Sequence, residues 1–195
     1  YRSSDGGETW QQVRYDRGFR LALDPPATVY AADDWREIDR SLANGDAGTW
    51  AKVGANTAGL IQSMAIDLGP SPGAIYLGFR VEGVYKSSDG GATWTARNSG
   101  IRPRLAVRDI DVDPQDRRRL FAAAGCGGGW TSSDGGQTWA ATPATGPCVG
   151  SFALNPQVTT LVYAGAYSTT GGAILRSNDG GVTFAPVYTA PAIAG

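Results

Sequence analysis

The sequence predicts an all-β fold built from a repeated four-stranded unit. An eight-residue motif recurs along the 195 residues, and short segments of alternating apolar and polar residues follow its copies. No segment of ten or more residues shows a helical hydrophobic period. The 28 glycines and 11 prolines indicate many tight turns between short strands.

The motif reads Ser-Ser-Asp-Gly-Gly-Glu-Thr-Trp in its first copy, at residues 3–10. Further copies occupy 87–94, 132–139 and 177–184, the last ending in Phe, and a degenerate copy occupies 41–50. The terminal aromatics stand at 10, 50, 94, 139 and 184, so their spacings are 40, 44, 45 and 45 residues. That period is the one expected for the four-stranded blade of a β-propeller.

The residues between the motifs predict the other strands of each blade. An alternating segment such as 21–25 predicts the first strand, Val29-Tyr30-Ala31 the second, and 83–86 a third strand that leads into the motif. The Thr-Trp end of the motif is expected to open the fourth strand. We therefore predict a half-blade at 1–14 and whole blades at 18–53, 60–97, 105–142 and 150–188, about four and a half blades in all. We expect a crescent cut from a larger ring; a small ring closed by its own ends is the alternative.

The motif resembles the Asp box, or BNR repeat, with the pattern Ser-x-Asp-x-Gly-x-Thr-Trp. Such boxes occur in sialidases, xyloglucanase-like glucanases, sortilin-type receptors and photosystem II assembly factors, and the Asp-Pro and Val-Tyr-Ala segments are more similar to the last three groups. The resemblance implies a turn that lies away from the working face. The structural box residues are then Ser3, Asp5, Gly7, Thr9 and Trp10; Ser87, Asp89, Gly91, Thr93 and Trp94; Ser132, Asp134, Gly136, Thr138 and Trp139; and Ser177, Asp179, Gly181, Thr183 and Phe184.

Composition excludes several kinds of chemistry. The chain has no histidine, which excludes Ser-His-Asp and Cys-His catalysis and imidazole zinc sites, and its two cysteines cannot form a four-cysteine metal site. A net charge of −1 gives no bulk attraction to nucleic acid. No apolar run approaches the ~18 residues of a membrane span. We expect no cofactor and no metal, since each box offers one carboxylate where calcium needs several.

Strand direction assigns the loops of each blade to two faces. The loop between the second and third strands shares one face with the connection between blades, and propellers commonly bind ligands there. We call this the loop face, and the opposite side the Asp-box face. Cys126 and Cys148 fall on the loop face in adjacent blades, which predicts a disulfide and an extracellular or periplasmic location. The alternative is two unrelated thiols.

The loop face also collects the candidate ligand-binding residues. Exposed aromatics together with arginines suit sugar stacking or a protein hot spot, and ordinary rim packing is the alternative. The predicted ligand-binding residues are Trp35, Phe79, Arg80, Arg102, Arg104, Arg108 and Tyr167, and Trp130 is expected to be exposed beside them.

Two carboxylates are weak catalytic candidates, Asp33 in a loop of the loop face and Asp111 on an inner strand. Asp111 is unusual because the equivalent residues of the other blades are alanines, and it could instead pair with Arg108. The run 117–119 is three arginines on the Asp-box face and predicts a solvated turn.

These residues favour a non-catalytic propeller module that binds a protein or a glycan through its loop face. The alternative is a fragment of a secreted glycoside hydrolase, xyloglucanase-like or sialidase-like, with catalytic residues partly in further blades of a parent chain. Glycosidases need two carboxylates about 5–10 Å apart, and no pair stands out here. The only glutamates are Glu8, Glu37 and Glu82, which disfavours a sialidase site. A repeat array without a ligand ranks last.

Overall fold

The computed structural model describes residues 1–13, 20–33, 37–54, 59–69, 73–144, 148–169 and 171–190. Within these residues it contains no helix, and sixteen strands form four separate antiparallel sheets of four strands each. The prediction of an all-β chain of four-stranded propeller blades is confirmed. No helix in the described part of the chain is long and apolar enough to cross a membrane.

Each sheet is a blade whose strands follow chain order from the inner to the outer edge. Blade 1 consists of β1 (Arg20–Asp24), β2 (Thr28–Ala32), β3 (Ile38–Ser41) and β4 (Trp50–Lys52). Blade 2 consists of β5 (Ile61–Ile66), β6 (Ile75–Phe79), β7 (Val84–Ser87) and β8 (Thr95–Ala96). Blade 3 consists of β9 (Asp109–Val112), β10 (Leu120–Ala123), β11 (Gly129–Ser132) and β12 (Ala140–Ala141). Blade 4 consists of β13 (Cys148–Leu154), β14 (Val162–Ser168), β15 (Gly171–Ser177) and β16 (Ala185–Thr189).

Several strand ends differ from those expected; the first strand of blade 3, for example, begins at Asp109, four residues after the predicted start of that blade. Blade 4 begins at Cys148, two residues before the predicted start. The outer strands of blades 2, 3 and 4 begin after the motif aromatic rather than at it. In blade 3 the reason is that the backbone N–H of Trp139 donates to Ser99 O, in the chain leaving blade 2, at 2.8 Å. At the N-terminal end, Arg2 and Gln11 form an antiparallel bridge that closes the first box as a hairpin.

The hydrophobic core lies between successive blades. Tyr30 and Ile38 of blade 1 pack against Ile75 of blade 2, and Tyr76 of blade 2 packs with Leu120 of blade 3. A third cluster joins blades 3 and 4 and contains Phe121, Ala123, Val149, Phe152, Val162 and Leu175. The three clusters therefore fill the three junctions between successive blades, and blades 2 and 3 are covered on both faces.

The four full Asp boxes share one hydrogen-bond pattern. In blade 2, Ser87 Oγ donates to Asp89 Oδ1 at 2.7 Å and accepts from Gly91 N–H at 2.9 Å. The Asp89 carboxylate accepts from Thr93 N–H at 2.9 Å and from Thr93 Oγ at 2.5 Å. The same bonds recur in the boxes that start at Ser3, Ser132 and Ser177. Gly90 and Gly91 have φ of 72° and 94°, values that favour glycine.

These bonds predict acid sensitivity. The Thr hydroxyl and the Thr N–H hold the pKa of Asp89 and Asp179 at about 2, below the ordinary 3.8. Because the folded-state pKa is the lower one, the stabilisation is complete above about pH 4 and is lost as the pH falls through about 2. The free energy of unfolding from urea titrations should therefore fall between pH 4 and pH 2. Thr93→Val should weaken this dependence, whereas Thr95→Val, outside the box, should not; equal slopes for both variants would contradict the assignment.

Candidate binding face

The predicted loop face is one continuous surface in blades 2 to 4. Asn98, in the connection after β8, receives Val84 N–H at 2.7 Å and donates to Glu82 O at 2.9 Å, which ties the connection to the β6–β7 loop. The Leu105 side chain packs so closely on Gly127 that a Cβ there would lie 2.1 Å from it. The connection between blades 2 and 3 therefore lies against the loops of both blades.

A disulfide and a backbone bridge fix the next part of this face. Cys126, in the β10–β11 loop of blade 3, is bonded to Cys148, the first residue of β13 in blade 4. Beside it, Gly125 and Val149 exchange two N–H···O bonds of 2.8 Å. The loop is thus held to the neighbouring blade by a covalent bond and by two hydrogen bonds.

Two predicted ligand-binding residues converge above this fixed loop. A Cβ placed on Gly125 would lie 3.1 Å from Arg108 Nε and 3.2 Å from the Tyr167 hydroxyl. Arg108 comes from the end of the blade connection and Tyr167 from the loop-face end of β14, so they belong to blades 3 and 4. Arg108 is exposed and Tyr167 is 37% exposed. A guanidinium and a phenol therefore both lie beside Gly125 on the accessible surface.

Further arginines surround this point. Arg102 and Arg104 are exposed in the same connection, and Arg104 has a left-handed backbone with φ of 60°. Arg80 is exposed at the end of β6, where its N–H donates to Leu60 O. Residues 98–108 hold three arginines and no carboxylate. This part of the loop face is cationic although the chain as a whole carries −1.

Two aromatic predictions on this face are wrong. Phe79 is 1% exposed and meets Tyr85 edge-to-face with 5.1 Å between ring centroids. It ends β6, which lies inside its sheet and is covered by blades on both sides, so every residue of that strand is buried. Trp130 is 6% exposed and its indole N–H donates to Gly127 O at 3.1 Å. Trp35 lies outside the described residues.

Asp33 has a local role in the structure. Its carboxylate accepts the Glu37 N–H at 2.9 Å, and its own N–H donates to Glu37 O at 3.1 Å. These bonds close the loop between β2 and β3.

Asp111 lies on the innermost strand of blade 3. It is opposite Phe121 in the register, and with Asp109 it faces blade 4, where Asp109 accepts the Phe152 N–H at 2.9 Å. Burial, and then the charge of Asp109, raise the pKa of Asp111 to about 7. Among the described residues Asp111 forms no ion pair, so the pairing with Arg108 considered from the sequence is not found.

A shallow cleft of about 300 Å³ lies where the inner strands of blades 1 to 3 approach one another. Its polar lining comes from Arg20, Gln62, Ser63, Arg108 and Asp109. Arg20 also donates to the backbone oxygen of Gln62. Arg108 therefore lies both at this cleft and beside Gly125, near Tyr167. The cationic surface thus extends towards the inner strands.

The arginine run on the Asp-box face is not the solvated turn expected. Arg119 Nε donates to Asp113 Oδ2 at 2.7 Å, and its Nη atoms reach the backbone oxygens of Thr159 and Gly180 in blade 4. Arg117 lies 3.6 Å from Asp67 of blade 2. The side chains of Arg117 and Arg118 are exposed, so the expectation fails at Arg119. The contacts of Arg119 were not predicted from the sequence. Their local signal is no more than an arginine six residues after the turn residue Asp113.

Comparisons with known proteins agree with this architecture. The family described as BNR/Asp-box repeat matches residues 1–12. A xyloglucanase from Paenibacillus sp. is 29% identical over 211 aligned residues, which cover 96% of this chain and 18% of that protein. The chain thus spans about a fifth of the length of this curated relative.

Two solved structures share the fold. The GH74 enzyme of Niastella koreensis superposes with a TM-score of 0.56 at 16% identity, covering 86% of this chain and 37% of that one. YCF48 from Cyanidioschyzon merolae superposes with a TM-score of 0.58 at 15% identity, covering 93% of this chain and 76% of that one. At these identities the likeness concerns the propeller fold alone.

Proposed function

We propose that this chain of Asp-box β-propeller blades is a non-catalytic module that binds a protein or glycan ligand through its loop face. The observation that carries the proposal is that the exposed side chains of Arg108 and Tyr167 both lie beside Gly125, on a loop held by the disulfide between Cys126 and Cys148. A fixed loop reduces the ordering cost of binding, and exposed arginine and tyrosine side chains are typical of binding hot spots.

The side chains of this face favour an anionic ligand. Phe79 and Trp130 are buried, so among the described residues Tyr167 is the predicted ligand-binding aromatic with an accessible side chain. Arg80, Arg102, Arg104 and Arg108 are exposed around it. Guanidinium groups bind carboxylates and sulfates in paired, charge-assisted hydrogen bonds. The ligand that fits is an acidic protein segment or an acidic glycan rather than a neutral sugar held by stacking.

Charge reversal tests this proposal. We expect Arg104→Glu/Arg108→Glu to weaken binding of a labelled poly-L-glutamate peptide of about ten residues by about tenfold or more, because two attractive contacts become repulsive. Fluorescence anisotropy at two salt concentrations measures the affinity, and binding should weaken as salt rises. Arg118→Glu, on the Asp-box face, is the matched control and should leave the affinity unchanged. Equal affinities for all three proteins would contradict the proposal.

A second candidate function is part of a glycoside hydrolase, favoured by the resemblance to the xyloglucanase. A carboxylic acid with a pKa near 7, as in Asp111, has the protonation behaviour of a general acid. Asp109, the carboxylate whose charge raises this pKa further, lies on the same strand instead of across a sugar. Release of reducing ends from xyloglucan by the wild type, and its loss in Asp33→Asn or Asp111→Asn, would favour the hydrolase over the binding module.

The disulfide bears on location. Disulfides persist in oxidising compartments and are rare where thiols are kept reduced. We propose an extracellular or periplasmic location on this ground.

A further inference from the structure

The β10–β11 loop of blade 3 is tethered through a single side chain. Residues 125–129, where this loop enters β11, are four glycines and Cys126. Gly125 and Gly128 have φ of 57° and 84°, in the region that favours glycine. The Cys126 side chain joins the loop to Cys148 of blade 4. Because glycine has more backbone freedom than any other residue, the loop depends on this bond to keep one conformation.

The two bonded cysteines differ in exposure. Cys126 is exposed, whereas Cys148 is 5% exposed. Cys148 begins the innermost strand of blade 4 and lies opposite Tyr167 in the register with β14. A thiolate that opens a disulfide must reach one of the two sulfurs, so access selects the sulfur that is attacked, and exposed disulfides are the more labile ones. Exposure therefore favours attack at Cys126.

The surroundings of Cys126 are cationic. A Cβ on the preceding residue, Gly125, would lie 3.1 Å from Arg108 Nε. On the other side of Cys126, the connection of residues 98–108 packs against Gly127. This connection holds three exposed arginines and no carboxylate. A positively charged surface raises the local concentration of anions and lowers that of cations, so an anionic thiol should react here faster than a cationic one.

The contacts that remain without the disulfide are hydrogen bonds. Gly125 and Val149 exchange two N–H···O bonds of 2.8 Å, and the Trp130 indole N–H donates to Gly127 O at 3.1 Å. The core cluster between blades 3 and 4 contains neither cysteine. Opening the disulfide should therefore loosen the loop without unfolding the two blades.

We propose that a small anionic thiol opens the disulfide at Cys126, and that opening weakens ligand binding at the loop face. The thiolate bonds to Cys126 Sγ while the bond to Cys148 Sγ breaks, and Cys148 leaves with the electron pair and takes up the proton that the thiol released. A second thiol of the same kind displaces the first as a small-molecule disulfide, and its proton goes to Cys126. The effect on binding rests on the function proposed above, because Arg108 and Tyr167 lie beside this loop.

Two matched thiols test the site of attack on the folded protein. 2-Mercaptoethanesulfonate and cysteamine are both two-carbon thiols, and their other ends carry opposite charges. After an acid quench, mass spectrometry of the digested chain should find the mixed disulfide about tenfold or more often on Cys126 than on Cys148. The rate per thiolate should be about threefold or more higher for the sulfonate. Arg104→Glu/Arg108→Glu should remove this preference, and Arg118→Glu, on the Asp-box face, should keep it.

Fluorescence anisotropy with the labelled poly-L-glutamate peptide measures the effect on binding. Cys126→Ser/Cys148→Ser, and the wild type reduced with a phosphine, should each bind about threefold to tenfold more weakly than the oxidised wild type, because a loosened loop must be ordered on binding. Hydrogen exchange of the backbone amides at 125–129 should be faster in both. Circular dichroism spectra matching the oxidised wild type show that both proteins are folded.

The outcomes separate this proposal from the function proposed above. A mixed disulfide found mostly on Cys148, equal rates for the two thiols, or a disulfide that opens only in denaturant would overturn attack at Cys126. Equal affinities of the oxidised and the reduced wild type would overturn the effect on binding. An oxidised wild type that does not bind the peptide would overturn the proposed function and the effect on binding together, whereas the position of the mixed disulfide would still decide where the thiol attacks.

Discussion

Replacing Arg119 with methionine should lower the free energy of unfolding by about 3 kcal/mol, the cost typical of removing one partner of a buried ion pair. Asp113 is fully buried, and the Arg119 guanidinium is its cationic partner. Methionine keeps most of the side-chain length but leaves that carboxylate uncompensated. It also removes the donors to Thr159 O and Gly180 O, which connect blades 3 and 4.

Urea unfolding at pH 7 measures the loss. Arg118→Met is the matched control, because Arg118 is 77% exposed and pairs only at the surface with Asp116, so its cost should stay within about 0.5 kcal/mol. Adding Asp113→Asn to Arg119→Met removes the unpaired buried charge of Asp113. The asparagine oxygen can still accept the Gln115 N–H, so part of the unfolding free energy should return. Equal losses of unfolding free energy for the two arginine variants would show that the contacts of Arg119 do not stabilise the fold.

Asp111→Ala should raise the free energy of unfolding at pH 8. The rise of its pKa from 3.8 to about 7 corresponds to a penalty of about 4 kcal/mol for ionising it in the folded chain. Partial solvent access screens the charge, so a gain of about 1–3 kcal/mol is the expected measurement. The equivalent alanines, Ala22, Ala65 and Ala153, show that the strand accommodates the smaller side chain.

The sign of the pH dependence separates charge from packing. Because the folded-state pKa is the higher one, the folded chain binds the proton more tightly, and stability falls as the pH rises from about 4 to about 7. The gain from Asp111→Ala should therefore be large at pH 8 and small at pH 4, whereas Asp116→Ala, at an exposed turn, should show little change at either pH. An equal gain at both pH values would attribute the effect to packing.

The repeat made most of the fold predictable. Each box bond joins residues no more than four apart, so the pattern Ser-x-Asp-Gly-Gly-x-Thr-Trp specifies its own turn. Alternation in segments such as 110–114 identified the inner strands, because one side of such a strand packs into the core between two blades. Small errors at strand ends occurred where a backbone group bonds to the chain leaving the preceding blade, as at Trp139.

The candidate site was less predictable. The sequence assigned Arg108 and Tyr167 to the same face. That both side chains lie beside Gly125 depends on how blades 3 and 4 pack together. Phe79 was assigned to the surface because it ends a strand, and only the stacked blades show that both sides of that strand are covered. Arg119 belonged to a charged run, and its partners in blade 4 lie 40 and 61 residues away along the chain.

The sequence by itself determined the all-β class, the blade period and the Asp-box turns, because their hydrogen bonds and alternating faces are local. The tertiary structure alone decided which arginines are exposed, which aromatics are buried and which carboxylates have a raised pKa. Those properties arise at blade junctions, where contacts such as Ser63 to Val107 and Asp109 to Phe152 join residues more than forty positions apart. Burial and charge at such contacts depend on the neighbouring blade, which no local pattern encodes.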